Sequence, residues 1–293
     1  MSVKTCDVLN AARAMELRRL EDGADDVQES VLMDPQIRAY YETTGIELDR
    51  LERGFWRLEF ARTKELLLRS LPRPPAHVLD VGGGPGAYAA WLADAGYDVK
   101  LVDATPLHVE QARERAAGRY VAAEGDARAL GEPDESYDVV LLLGPLYHLV
   151  ERDDRMLALA EARRVLRGGG VLAAAAISRF APLLDLFARE LRDERIWEFA
   201  ERALADGRHV PDPNDELFTI AYFHRPEELE AEIEESGFAL EGLFGIEGPG
   251  WLRMETLEDS AGFDAALRLA RALEQERAVV GASSHLLAVA RRP

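Results

Sequence analysis

The sequence predicts an α/β fold, a doubly wound and mostly parallel sheet with helical additions, and three observations predict it. From His77 onward, short apolar runs alternate with helix-sized segments. The runs HVLDV, DVKLVD, RYVAAEGD, YDVVLLL and GVLAAAAIS are apolar nearly throughout, as strands buried on both faces are. Glycine and proline fall where helices start and stop.

Before residue 72 the apolar positions Leu48, Leu51, Phe55, Leu58 and Phe60, then Leu66, Leu67, Leu68 and Leu71, recur at helical spacing. LPRPPA ends that segment, because proline cannot continue a helix. Residues 1–75 are therefore expected to form a helical cap and 76–293 the core. Within the core, Thr105 and Pro106 open one helix that Gly118 stops, and MLALAEARRVL runs to Gly168, Gly169 and Gly170. The alternation breaks after residue 178. Phe180, Leu183, Leu184, Phe187 and Leu191, then Ile196, Phe199, Ala200 and Leu204, predict a helical insertion over about 180–225, and DGRHVPDPNDELFTIAYFHRP reads as irregular. A helix from Pro226 to Gly237, the strand FALEGLFGI, a helix over roughly 259–280 and the strand SSHLLAVARR complete a seven-stranded sheet.

A chain of 293 residues, 47% hydrophobic, can bury a sizeable core. Its 35 basic and 54 acidic residues give a net charge of -19, which opposes a phosphate backbone and excludes nucleic acid from the expected partners. Cys6 is the single cysteine, so an intrachain disulfide is ruled out. The N-terminus lacks a signal-like apolar core and no run reaches membrane-spanning length, so a cytoplasmic protein is expected.

Chemistry concentrates in VLDVGGGPGAY, residues 78–88, where a strand ends in Asp80 and four glycines follow. Glycine permits a sharp turn and leaves backbone bare for a ligand to lie against. Asp103 ends the next strand, twenty-one residues past Gly82, where an acid can accept from both ribose hydroxyls. Asp126 in EGDAR ends the third strand, where it could accept from an adenine amino group. Either acid alone could be a helix cap; together they describe a nucleoside pocket. G-x-G-x-x-A is also met through Gly82, Gly84 and Ala87, which leaves a nicotinamide-dependent oxidoreductase as the alternative.

LDVGGGPGAYAAWLADAGYDVKLVDATPLHVEQA, with GDAR and YDVVLLLGPLYHL, resembles the core of the class I S-adenosylmethionine-dependent methyltransferases over about residues 77–178. The resemblance implies a Rossmann-like sheet ending in an antiparallel pair, with S-adenosyl-L-methionine as cofactor. It implies that Gly82, Gly83, Gly84 and Gly86, after Asp80, line the methionine and ribose. Asp103, with Ala104 beside it, would hold the ribose hydroxyls; Asp126 and Ala127 would hold the adenine. Leu143 and Gly144 would present backbone near the sulfonium. Arg62, with Arg57, is the candidate cation for the cofactor's carboxylate.

GPLYHL replaces the Asn or Asp, paired prolines and aromatic that enzymes methylating nucleic-acid amino groups carry here, which points to a small organic acceptor. In-line displacement gains much of its rate from alignment, and a base is needed only if the nucleophile arrives protonated. His148 is the candidate base and Tyr147 its neighbour. Tyr40 and Tyr41 could close over the site from the N-terminal helices. Arg179, Tyr222 and His224 are further pocket candidates, outside the carboxyl ends of the strands. His108 reads as solvated, and no His or Cys cluster has metal-ligand spacing. The insertion's apolar face would serve equally to pack a lid or a homodimer. A protein that binds the cofactor without catalysis is the remaining alternative.

Overall fold

Pro72, Pro74 and Pro75 separate two structural regimes. The computed structural model describes residues 33–54, 56–190, 193–211 and 218–293. The beginning of the expected cap, Cys6 included, and Phe55 and Leu191 lie outside the described residues. Helix α1 (Pro35–Thr44) is opened by Asp34, whose carboxylate accepts from the Gln36 amide, and closed by left-handed Gly45. A 3-10 helix, Ile46–Glu52, and α2 (Trp56–Ser70) follow. Leu58, Leu66 and Leu67 form the buried stripe of α2 that the helical spacing predicts.

Seven strands, β1 (His77–Val81), β2 (Asp98–Asp103), β3 (Val121–Glu124), β4 (Tyr137–Leu142), β5 (Leu166–Ser178), β8 (Ala239–Gly245) and β9 (His285–Arg291), make the main sheet. They run in the order β3-β2-β1-β4-β5-β9-β8, all parallel except β9. Between them lie α3 (Ala87–Asp94), α4 (Pro106–Ala116) and α5 (Arg152–Val165), and later α8 (Pro226–Glu235) and α9 (Ser260–Leu273). Alternate strand residues face opposite helical layers. Leu79, Val140, Leu172 and Ala288 pack on α5 and α8, whereas Val78, Leu141, Ala173 and Leu287 pack on α2, α3 and α4. This two-sided burial is why the strands are apolar at successive positions, and each fully buried leucine contributes about 1.5–3 kcal/mol.

The insertion holds α6 (Ala181–Ala188), α7 (Glu194–Asp206) and a small hairpin of β6 (Arg208–His209) and β7 (Ala221–His224). The hairpin corrects the irregular reading of that stretch. Its cause is the length of β5: thirteen residues, against six in β4, leave Ile177 and Ser178 with an open edge once β4 has ended. Phe223 and His224 fill that edge in parallel, while β9 occupies the other. Two-residue pairings carry no apolar periodicity, so sequence patterning could not reveal them. None of the described helices is long and apolar enough to cross a membrane.

Candidate active site

The four glycines after β1 divide by what surrounds them. A Cβ on Gly82 would stand 2.7 Å from the Pro145 ring, one on Gly83 would stand 2.6 Å from Leu101 and 2.7 Å from Asp80, and one on Gly86 would meet the Tyr120 hydroxyl. These three are glycine because the protein itself closes on them. Gly84 differs: its φ is +55° and nothing lies within 4 Å of a built Cβ, so its bare backbone faces open space. Asp80 is buried and neither of its oxygens has a hydrogen-bond partner among the described residues. Burial, then the nearby Asp103 carboxylate, pushes its pKa up to about 7. An orphaned acid beside an open glycine backbone fits a ligand carrying an ammonium group, as S-adenosylmethionine does.

Asp103 is held ready at the end of β2. Its Oδ2 accepts from the Gly84 amide at 2.8 Å, and its Oδ1 from the Thr105 amide at 2.8 Å and from His108 Nδ1 at 3.3 Å. Burial works against its charge, yet His108, Thr105 and Gly84 together lower its pKa. Ala104 follows it in the turn before α4. His108, expected in solvent, is buried, since the first turn of α4 folds back over Asp103. Asp126 lies beside Ala127 but already accepts from Arg128, at 2.8 Å from the backbone amide and 2.6 Å from Nη2. An adenine amino group would share that carboxylate.

Leu143 and Gly144 continue β4, which neighbours β1. A Cβ on Gly144 would stand 3.0 Å from the Gly82 carbonyl oxygen and 3.6 Å from Tyr147 Oη, so the ends of the two strands nearly touch. A 3-10 turn, Pro145–Tyr147, then presents Tyr147 and His148. Tyr41 comes from α1 to meet them, its hydroxyl 2.6 Å from His148 Nε2. His148 Nδ1 lies 3.1 Å from the Ile220 carbonyl oxygen, which can only accept. Nδ1 therefore carries the hydrogen, and Nε2 offers its lone pair to the Tyr41 hydroxyl. Burial lowers the His148 pKa, keeping the ring neutral at pH 7. Tyr40, Tyr41, Tyr147, His148 and Phe218 form one aromatic group, with ring centroids 4.7 to 6.5 Å apart.

Arg179, Tyr222 and His224 form a different group. Arg179 donates to the Phe223 carbonyl and to Glu228; His224, fully buried, lies 3.3 Å from Glu232. Glu232 also pairs with Arg155, whose guanidinium stacks 3.8 Å from the Tyr222 ring centroid. Although burial opposes it, His224 and Arg155 lower the Glu232 pKa to about 2. These side chains tie β7 to α5 and α8. Arg62 is fully buried too, donating to Glu65, Glu274 and the Ile246 carbonyl, and Arg57 stacks 4.8 Å from the Phe263 ring centroid. Both guanidinium groups are thus engaged with C-terminal elements.

The fold also gathers a polar group that the sequence did not single out. Glu59 of α2, Glu247 after β8 and His285 of β9 bring their ligating atoms within 4.8 Å of one another. Arg50 donates to Glu59 at 2.5 Å, and Glu247 accepts from His285 Nδ1 at 2.6 Å and from Ser283 at 2.7 Å. Residues so far apart in the chain leave no spacing to find; a histidine opening an apolar strand was the only trace.

Residues 78–170 match the family model described as a methyltransferase domain. The chain is 31% identical over 180 residues to a ubiquinone biosynthesis O-methyltransferase of Sinorhizobium fredii, covering 60% of this chain and 64% of that relative, just under two thirds of its length. It is 30% identical over 264 residues to a demethylmenaquinone methyltransferase of Parafrankia, covering 83% of this chain and 94% of that one. An S-adenosylmethionine-dependent methyltransferase structure from Mesorhizobium loti superposes with a TM-score of 0.54 at 22% identity, over 80% of this chain and all of that one, and shares the fold. The sheet order, the glycine loop with its two following acids and these relatives define a Rossmann-like nucleoside-binding enzyme. The chain belongs to the class I S-adenosylmethionine-dependent methyltransferases, and S-adenosylmethionine is its cofactor.

Proposed function

We propose that the protein transfers a methyl group from S-adenosylmethionine to a small aromatic acceptor bearing an ionisable hydroxyl. The observation that carries this reading is the neutral His148, its tautomer set by Ile220, within a group of aromatic rings at the end of β4. Such rings favour stacking with a planar partner at centroid distances of about 4.5–7 Å. The two relatives named above, a ubiquinone biosynthesis O-methyltransferase and a demethylmenaquinone methyltransferase, are consistent with an aromatic acceptor.

The bound cofactor supplies a methyl group on a sulfonium, open to in-line displacement. The chain's own residues do the rest. Asp103 and Gly84 orient the nucleoside; Leu143 and Gly144 bring backbone close to the reacting centre. The aromatic group excludes water, which strengthens every polar contact inside it. His148 takes the acceptor's proton at Nε2, once the Tyr41 hydroxyl has turned away or by way of that hydroxyl. The N-terminal segment and the insertion act as a cap through Tyr41 and Ile220, and the insertion's remaining apolar face is open to a second copy of the chain.

The test is a screen with radiolabelled cofactor against matched panels of phenols, quinols and amines, with cofactor and NAD binding measured by calorimetry. Label on a phenolic or quinolic oxygen is the expected result. Label on nitrogen alone, or binding of NAD in place of S-adenosylmethionine, contradicts the proposal.

A further inference from the structure

Glu59, Glu247 and His285 meet beside the end of β5. His285 opens β9 opposite Ile177, and Ile246, one residue before Glu247, donates to the His285 carbonyl at 3.0 Å. Helix α2 docks over them, with Arg62 Nε donating to the Ile246 carbonyl at 3.3 Å. From His285 Nδ1 it is 2.6 Å to Glu247 Oε1 and 3.9 Å to Glu59, and one ligating atom from each residue lies within 4.8 Å of the others. Glu59 is 8% exposed and Glu247 1%.

Two features of this cluster ask for a cation. The first is charge. Arg50 is shared between Glu47 and Glu59, so with the imidazole neutral, as a metal ligand must be, three carboxylates face one guanidinium. The two negative charges left over match one divalent ion, and buried carboxylates are costly unless compensated. The second is an orphaned hydroxyl. Thr63 is 2% exposed and its Oγ1 has no hydrogen-bond partner among the described residues. It follows Glu59 by one helical turn on the buried stripe of α2, and Leu66, further along that stripe, joins the core cluster of Ile246 and Leu287. Leu287 shares a strand face with His285, so α2 carries Thr63 over the start of β9, beside the cluster.

The surrounding contacts suit a ligand set. Glu247 Oε2 accepts from Ser283 Oγ at 2.7 Å and from the His285 amide at 3.0 Å, which leaves Oε1 to the imidazole side. Arg50 holds Glu59 through both Nη atoms. Outer hydrogen bonds of this kind orient metal ligands, and an imidazole nitrogen with carboxylate oxygens suits zinc better than magnesium or calcium. We propose that Glu59, Glu247 and His285 bind a zinc-like divalent ion, with the Thr63 hydroxyl or a water it holds in fourth place, and that the ion clasps α2 to the C-terminal strand pair. The ion takes the place of the hydrogen between His285 and Glu247. Ligand atoms around tetrahedral zinc stand about 3.4 Å apart, so contacts must open or close by about 1 Å, within reach of two glutamate side chains.

The test uses the untagged full chain, freed of metal by a chelator, and calorimetry with zinc and with magnesium. One zinc per chain is expected, bound at least a hundredfold more tightly than magnesium, with a melting temperature that rises with free zinc. His285→Gln and Glu247→Gln should weaken zinc at least tenfold. Thr63→Val has nearly the same shape and no hydrogen bond to lose, so it should fold as the wild type does and weaken zinc at least threefold, which keeps the test decisive if the other two misfold. His77→Gln, at an exposed imidazole 3.0 Å from Asp98, should bind zinc unchanged. Failure of the wild type to bind zinc, magnesium bound as tightly, affinity unmoved in the three site variants, or affinity lost in His77→Gln instead, overturns the proposal.

Discussion

Asp80 should make the protein less stable as pH rises through the range where most proteins are comfortable. The residue is 1% exposed, neither carboxyl oxygen has a hydrogen-bond partner among the described residues, and its pKa is about 7 against an unfolded value near 3.8. Between those two values the unfolded chain has released the proton and the native protein still holds it. Native stability therefore falls from about pH 4 to pH 7 and levels off above. Three pKa units correspond to about 4 kcal/mol. Asp80→Asn has nearly the same shape and no titration. Urea unfolding of both proteins at intervals from pH 4.5 to 8.5 isolates the effect, because every other titrating group cancels in the difference. The variant should gain on the wild type by about 3–4 kcal/mol across that range, and any constant cost of burying the amide drops out. A difference independent of pH would refute the reasoning, since it would mean that Asp80 is ionised in the native state throughout.

The glycines should separate by environment: Gly84→Ala should fold at a strain cost of about 1–2 kcal/mol and lose cofactor binding, whereas Gly86→Ala, whose methyl group would strike Tyr120, should lose stability outright. Calorimetry on both variants, with thermal unfolding, checks this; cofactor binding retained by Gly84→Ala would contradict it. Tyr41→Phe keeps the ring but removes the donor to His148 Nε2, so stability should drop by about 1 kcal/mol and the His148 pKa should rise, read by NMR titration of the imidazole. His285, raised to about 9, contributes about 3 kcal/mol that is fully present below pH 6.5 and lost as pH climbs through 9. Alkaline unfolding of His285→Gln should lack that loss, and a curve parallel to wild type would show that the imidazole is neutral in the native protein.

Much of this protein was legible because its information is local. The apolar strands are continuous because each is covered on both faces, and a continuous run can be read without knowing what covers it. VLDVGGGPGAY, Asp103 and Asp126 were legible for the same reason: strand, turn and acid follow one another in the chain, so their spacing is their geometry. The hairpin of β6 and β7 was not legible, because it exists to fill an edge that an over-long β5 leaves open, a property of two distant segments. His108 read as solvated since its helix carries charges around it, and only the fold shows that its first turn lies over Asp103.

The sequence by itself determined the sheet, the family and the donor side of the chemistry, because those rest on backbone turns and on acids at successive strand ends. The tertiary structure decided everything that depends on which side chains meet. It turned Arg62 and His224 into buried ion pairs, set His148 in one tautomer between Tyr41 and Ile220, and gathered Glu59, Glu247 and His285 from opposite ends of the chain. Charge and protonation at this site are fixed by neighbours in space, and neighbours in space are what a linear pattern of residues does not record.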